Sequence, residues 1–230
     1  MHSIAFLTQK GGAGKTTLAA SLAEAAAYAG ERVIALDLDP QGSLCRWAKR
    51  RAAVKVKNKI IVEPLEPERL PRLKSIVAGL AEAGFTLAIF DTGCADNTTM
   101  RFVTDVVDLC LLPARPTCLD VEATSTTFRT VFLAKRKAAF VLNQCPSTYR
   151  STRADEAAKG LSRLGVLAEP MLAARMDFQD AIAAGLGVTE YARGSRAAQE
   201  IATLWRWSRA QIGETSAVTV SSPISTQAAA

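Results

Sequence analysis

The sequence predicts an α/β protein with a mostly parallel, doubly wound sheet flanked by helices. The apolar run Ser3-Ile4-Ala5-Phe6-Leu7 leads into Thr8-Gln9-Lys10-Gly11-Gly12-Ala13-Gly14-Lys15-Thr16-Thr17 and then into an alanine- and leucine-rich segment, 18–29. That order reads as strand, glycine loop and helix. Further apolar runs alternate with helical segments along the chain, the pattern of a parallel sheet. Several of the runs end in Asp or Asn, which gathers polar groups at the carboxyl ends of strands, where such sheets bind ligands.

Composition narrows the chemistry. At 230 residues, 49% hydrophobic and 22% charged, the chain suits one large domain, taken as 1–212, with the Ser-, Thr-, Ala- and Gln-rich residues 213–230 expected to form a disordered tail. No apolar run approaches the ~18 residues that cross a bilayer, and the first residues lack the order of a secretory signal, so a cytoplasmic protein is expected. Five cysteines (Cys45, Cys94, Cys110, Cys118 and Cys145), with no C-x-x-C, argue against a disulfide framework or a zinc ribbon. With His2 the only histidine, carboxylates, lysines and Mg²⁺ must carry any catalysis. A net charge of +6 and pI near 9.2 suit an acidic partner such as nucleic acid without demanding one.

The loop is the most informative stretch. Gly11, Gly12 and Gly14 have no Cβ, so backbone N–H groups, Ala13's among them, turn inward to cradle a polyphosphate at the positive end of the helix. Lys15 then reaches the β- and γ-phosphates, Thr16 ligates Mg²⁺, and Thr17 sits near the α-phosphate. The ordinary pattern requires glycine where this chain has Gln9, and a second lysine, Lys10, heads the loop. K-G-G-x-G-K-T-T resembles the deviant Walker A loop of the ParA/MinD family of P-loop ATPases. That resemblance implies that Lys10 reaches across a dimer interface to the partner's nucleotide.

Next, Gly30 ends the helix, and Arg32-Val33-Ile34-Ala35-Leu36 reads as a buried strand running into Asp37-Leu38-Asp39-Pro40-Gln41-Gly42. Side chains two apart share a face, so both aspartates point the same way, next to the phosphates if this strand neighbours the first. The run is similar to the family's second nucleotide motif, which assigns Asp39 to orienting the attacking water and Asp37 to the Mg²⁺ shell. Residues 43–59 carry Arg46, Lys49, Arg50, Arg51, Lys55, Lys57 and Lys59 with no acid among them, either a solvated helix face with an exposed turn or a DNA-contacting patch. A short strand over 59–63 and an amphipathic helix over 67–83 follow, the helix started by Pro67 and stopped by Gly84.

Phe85-Thr86-Leu87-Ala88-Ile89-Phe90-Asp91 is a buried strand ending in a carboxylate, the Walker B arrangement, with Asp91 holding Mg²⁺ through water. The family usually continues with a proline-containing pair, whereas here Gly93-Cys94-Ala95-Asp96 follows, which leaves the loop's course open. A strand over 108–113 precedes the connector Ala114-Arg115-Pro116-Thr117, and a helix runs from Asp120 to about Ala134. This P-x-x-P-T…D arrangement is similar to the family's approach to its interface helix. The strand 138–142 ends at Asn143, which is either the adenine contact that relatives imply or a turn residue ahead of Pro146.

A helix over 151–165, an edge strand over 166–171 and a closing helix from about Ser195 to Ile212 complete the domain. Within the last, Ala198, Ile201, Leu204 and Trp205 form a core stripe. Arg175, Arg193, Arg196, Arg206 and Arg209 are the candidate DNA-binding edge, preferred here over 46–59. The resemblance covers roughly 1–212. It implies an ATP-bound homodimer, with Mg²⁺, that binds DNA without sequence preference, associates with the nucleoid and is stimulated by a separate adaptor. A plasmid, chromosomal locus or other cargo is thereby positioned. A first strand that begins at once suggests the small type, without an N-terminal helix-turn-helix. The alternative is a MinD-like membrane-associated division regulator; against it, no stable membrane association is expected, because the chain ends in an uncharged polar stretch, with only Trp205-Arg206-Trp207 in its favour. An iron–sulfur electron-transfer protein is a poorer match, since Cys94 lies too close to Asp91.

Overall fold

The computed structural model describes residues 1–94, 96–147 and 152–213. Within them β1 (His2–Phe6), β2 (Val33–Asp37), β3 (Ile61–Pro64), β4 (Leu87–Asp91), β5 (Leu109–Ala114), β6 (Ala138–Leu142) and β7 (Val166–Leu167) form one parallel sheet, ordered β3-β2-β4-β1-β5-β6-β7. Winding from β1 to β2 proceeds one way and from β4 to β5 the other, so the strand order reverses around β1. The condition that β2 neighbours β1 is not met, because β4 is inserted between them. β3 (Ile-Val-Glu-Pro), with Ile61 44% exposed and Pro64 unable to donate to a ladder, takes the edge outside β2, while β4, buried on both faces, takes the centre.

Successive strand residues feed two separate cores. Ile4, Phe6, Val33, Ala35, Leu87, Ile89, Leu109 and Leu111 face α1 (Lys15–Tyr28), α2 (Ser43–Ala52), α7 (Met176–Ala183), α8 (Val188–Tyr191) and α9 (Arg196–Gly213). Ala5, Ile34, Leu36, Ala88, Phe90, Cys110 and Leu112 face α3 (Leu73–Glu82), α4 (Asn97–Thr104), α5 (Cys118–Leu133) and α6 (Thr152–Ser162). The inner strands β2, β4 and β5 are buried at every position because both faces are covered, and they are apolar up to the aspartates that end β2 and β4.

Local signals account for the element ends. The expected helix over 67–83 is a 3₁₀ turn, Pro67–Arg72, followed by α3; Pro71, which has no N–H, falls inside the turn and separates the two. The short α4 was not foreseen, although Asp96 caps it by accepting from Thr99 N–H at 2.7 Å. β7 is only two residues long, with Pro170 soon after it. Trp205 is buried and Trp207 packs against the same core, which removes the feature that favoured a lipid-facing surface. No described helix is long and apolar enough to cross a membrane. Gly213 ends α9, and the remainder of the expected tail, 214–230, lies outside the described residues.

α1 is apolar on nearly every side because it lies between the sheet and α9. Its Glu24 is fully buried against α8, receiving a hydrogen bond from the Thr189 hydroxyl, while Oε1 has no partner. Gly187 permits this approach, since a Cβ there would stand 2.5 Å from the Glu24 Cβ. Beside it Arg51 of α2 donates to both Glu190 oxygens at 2.5 and 2.8 Å, and its guanidinium lies 5.4 Å from the Trp47 ring. Trp47 Nε1 donates to Leu186 O at 3.1 Å. The segment around α8 is therefore clasped between α1 and α2.

Burial pushes the Glu24 carboxyl up to about 7; Glu190 adds to the shift, while Thr189 and Arg51 oppose it. A carboxyl whose folded-state pKa lies above its unfolded value stabilises the fold below the unfolded pKa and loses that contribution as pH rises through the folded one. Glu24→Gln should match wild type near pH ~4.5 and exceed it by up to about 3 kcal/mol near pH ~8.5, measured by urea unfolding across pH. A constant difference between the two proteins at every pH would contradict this.

Candidate nucleotide site

The glycine loop leaves β1 and turns into α1 through Gly14, whose φ of 91° is a left-handed conformation that L side chains resist. A Cβ at Gly14 would also meet Asn143 Nδ2 at 2.5 Å. Asn143 donates this amide to Ala13 O at 2.8 Å, and Gln144 donates to Gly12 O at 3.0 Å. In this arrangement Asn143 braces the loop through its amide. Gly11 and Gly12 are exposed, and Thr16 and Thr17 are half-buried in the first turn of α1.

Lys15 is 6% exposed and turns back to donate to Lys10 O at 3.1 Å. Burial lowers its pKa, against the opposing influence of Cys94, Asp91 and Asp39. The sheet register explains this convergence, because Phe6, Asp91 and Asp37 are aligned across β1, β4 and β2. Both aspartates share strand parity with residues facing α1, so the two carboxylates lie on the side where the loop enters its helix.

Asp91 is fully buried, and neither of its oxygens has a hydrogen-bond partner. Burial pushes its pKa up to about 6; Thr16 and the Gly93 amide face it closely enough to counter the shift in part, Asp37 adds to it, and Lys15 opposes it. A buried carboxylate without a partner fits a cation that arrives with its other ligands. Among the described residues no group of three or more His, Cys, Asp or Glu side chains could hold a metal alone. Asp91 with Thr16 therefore suits Mg²⁺, which takes one or two protein oxygens and completes its shell from phosphate and water.

Asp37 is otherwise engaged. Its Oδ1 accepts from Asp39 N–H at 3.1 Å and its Oδ2 from Cys45 N–H at 2.9 Å, which ties the loop and the start of α2 to the strand end. Asp39 is half-buried, accepts from Gln41 N–H at 2.9 Å and leans on Gly93, where a Cβ would come within 2.6 Å of its Cγ. With φ at 57°, Gly93 accounts for the departure from the proline-containing pair: the turn and the carboxylate above it exclude a side chain.

Lys10 forms an ion pair with Asp120, which is almost fully buried at the start of α5. Arg115 donates to the same carboxylate at 2.5 and 3.2 Å. Although burial alone would raise the Asp120 pKa, Arg115 and Lys10 outweigh it and hold the group below the usual carboxylate range. Sequence reasoning named Arg115 and Asp120 as landmarks but missed this junction, which depends on a contact across more than a hundred residues.

The five candidate arginines differ in availability. Arg175 donates to Glu200 Oε1 at 2.7 Å and Arg209 lies 3.3 Å from Glu31 Oε1, so both charges are partly neutralised in place. Arg193, Arg196 and Arg206 are exposed.

Residues 4–188 match the family of the CobQ/CobB/MinD/ParA nucleotide binding domain. Among similar proteins, the maintenance of carboxysome distribution protein A of Gloeobacter kilaueensis is 34% identical over 197 residues, 84% of this chain and 86% of that protein. The solved structure of apo McdA from Cyanothece superposes with a TM-score of 0.76 at 16% identity, covering 93% of this chain and 100% of that one. MinD from Pyrococcus horikoshii in complex with Mg-ADP superposes with a TM-score of 0.66 at 17% identity, covering 89% and 94%.

If Asp91 is a cation ligand left uncompensated, neutralising it should help the empty protein and harm the loaded one. Asp91→Asn is expected to raise stability without nucleotide by about 1–2 kcal/mol, because a buried unpaired charge is removed. It should also abolish the part of the nucleotide-induced rise in Tm that depends on Mg²⁺. Thermal scans with and without ATP, Mg²⁺ and EDTA check both; a Mg²⁺-dependent rise equal to wild type would remove Asp91 from the site.

Proposed function

Because the chain belongs to the CobQ/CobB/MinD/ParA nucleotide-binding family, we propose that it is an ATPase that positions a cargo by switching between nucleotide states. The observation that carries this reading is the division of labour between two lysines of one loop. Lys15 is buried beside Asp91, while Lys10 is partly exposed and held on Asp120. A single nucleotide site accounts for the first lysine, whereas the second faces Asp120 rather than that site.

In this reading the loop amides of Gly11, Gly12, Ala13 and Gly14 with Lys15 hold the phosphates, and Thr17 lies near the α-phosphate. Thr16 and Asp91, with Asp37 nearby, would hold Mg²⁺, which would neutralise phosphate charge. Asp39 orients the attacking water, and Gly93 lets its carboxylate sit low over the loop. Lys10 leaves Asp120 and reaches the nucleotide of a second copy, so that ATP joins two chains. Arg115 stays bidentate on Asp120, so the buried carboxylate keeps a partner when Lys10 departs.

The homodimer then binds DNA without sequence preference, and a separate adaptor stimulates hydrolysis to release it. The cytoplasm, on the nucleoid, is the proposed location. Support for a positioning role comes from the relative named for carboxysome distribution, which spans most of this chain.

Lys10→Ala should still bind ATP but lose ATP-dependent dimerisation and turnover; an unchanged dimer in analytical ultracentrifugation would remove the cross-subunit role. Lys15→Ala should lose productive nucleotide binding. Asp39→Ala should retain ATP and the dimer while slowing hydrolysis by about 100-fold or more. Gly93→Ala should slow hydrolysis in the same direction, by displacing Asp39. Wild-type turnover in Asp39→Ala would transfer the role to Asp37.

A further inference from the structure

Cationic side chains are concentrated, without ion-pair partners among the described residues, on the edge of the molecule formed by α2 and the loop into β3. Arg46, Lys49 and Arg50 are exposed on α2 at helical spacing, and Lys55, Lys57 and Lys59 are exposed in the loop that follows. None of the six forms a salt bridge among the described residues. Arg46 bonds the backbone of Gln41, and Arg50 donates to Ile182 O at 3.2 Å. Of the basic run only Arg51 turns inward, to Glu190. The contrast with the C-terminal arginines is direct, since two of those five are already matched to carboxylates.

Topology sets the direction of this edge. α2 starts at the carboxyl end of β2, next to Asp39, and the chain re-enters the sheet at the amino end of β3. The loop lysines therefore lie at the end of the sheet away from the glycine loop, and a dimer closed over the nucleotides leaves them outward. Lys49 and Arg50 also sit in the last turn of α2, where cations favour the helix dipole, and lysines beside an edge strand discourage sheet-to-sheet pairing. Helix electrostatics does not account for Lys55, Lys57 and Lys59, which follow the helix.

We propose that the surface from Arg46 to Lys59 is the seat of double-stranded DNA, held through its phosphates. The inference rests on the DNA-carrier reading and assigns it a surface other than the arginines of α9. Six cations that form no ion pair among the described residues release counterions on binding, so affinity falls steeply with salt and is indifferent to base sequence. A second copy joined through ATP doubles the contacts, which makes nucleotide state a control on DNA affinity without rearrangement of the surface.

The test measures binding of a mixed-sequence duplex by fluorescence anisotropy over a range of salt, with ATP and with ADP. Three full-length proteins are compared: wild type, Lys55→Ala/Lys57→Ala/Lys59→Ala, and Arg193→Ala/Arg206→Ala. The lysine variant should dimerise and hydrolyse ATP as wild type does, bind at least about ten-fold more weakly, and show a salt slope shallower by roughly 3 per protomer. Lys55→Arg/Lys57→Arg/Lys59→Arg should restore both readouts. Wild-type affinity in the alanine variant, with loss confined to Arg193→Ala/Arg206→Ala, would overturn the surface assignment alone. Failure of the wild-type protein to retain DNA in either nucleotide state would overturn the carrier reading itself.

Discussion

Asp91 is a carboxylate sealed at the end of a central strand with neither oxygen partnered, and the surrounding loops are arranged to face it. Leaving a charge in such a place costs several kcal/mol unless something compensates it. Lys15 supplies part of that compensation from α1, and Thr16 presents its hydroxyl from the same turn. The insertion of β4 between β1 and β2 brings the three elements together, because it aligns Asp91 with Phe6 on one side and Asp37 on the other.

Around this centre the charges form two linked groups. Asp37 spends its oxygens on the backbone of Asp39 and Cys45, which connects the strand end to the start of α2. Asp39 rests on Gly93 directly after β4, so the two loops that flank the phosphate position touch one another. On the other side Asp120 gathers Lys10 and Arg115, joining the glycine loop to the first turn of α5. Direct contacts thus connect the candidate nucleotide site to α2 through Asp37 and to α5 through Asp120.

The far side of α1 has its own polar anchor. Glu24, Thr189, Arg51 and Glu190 bind the segment around α8 between α1 and α2, and Trp47 adds a hydrogen bond to Leu186 O. Burying these groups brings little net stability compared with an apolar contact. What they provide is a single register for α8 between two helices that both begin at the nucleotide site.

The sequence alone determined the alternation of strands and helices, the loop from Lys10 to Thr17, and the placing of Asp37, Asp39 and Asp91 at strand ends. These are local matters of period, glycine content and spacing, and they need no knowledge of neighbours. Residue spacing also marked the core stripe of α9, in which Ala198, Ile201, Leu204 and Trp205 are all buried. Tertiary structure decided the rest, because strand order is set by which surfaces cover which, not by chain order. It placed β4 beside β1, gave Asn143 to Ala13 O, paired Lys10 with Asp120 and Arg51 with Glu190, and made Gly93 the only fit beneath Asp39. It also left the lysines between α2 and β3 exposed while turning Arg175 and Arg209 onto Glu200 and Glu31. A charge in a sequence has no partner until the fold supplies one, and so the available cations could be told from the neutralised ones only in three dimensions.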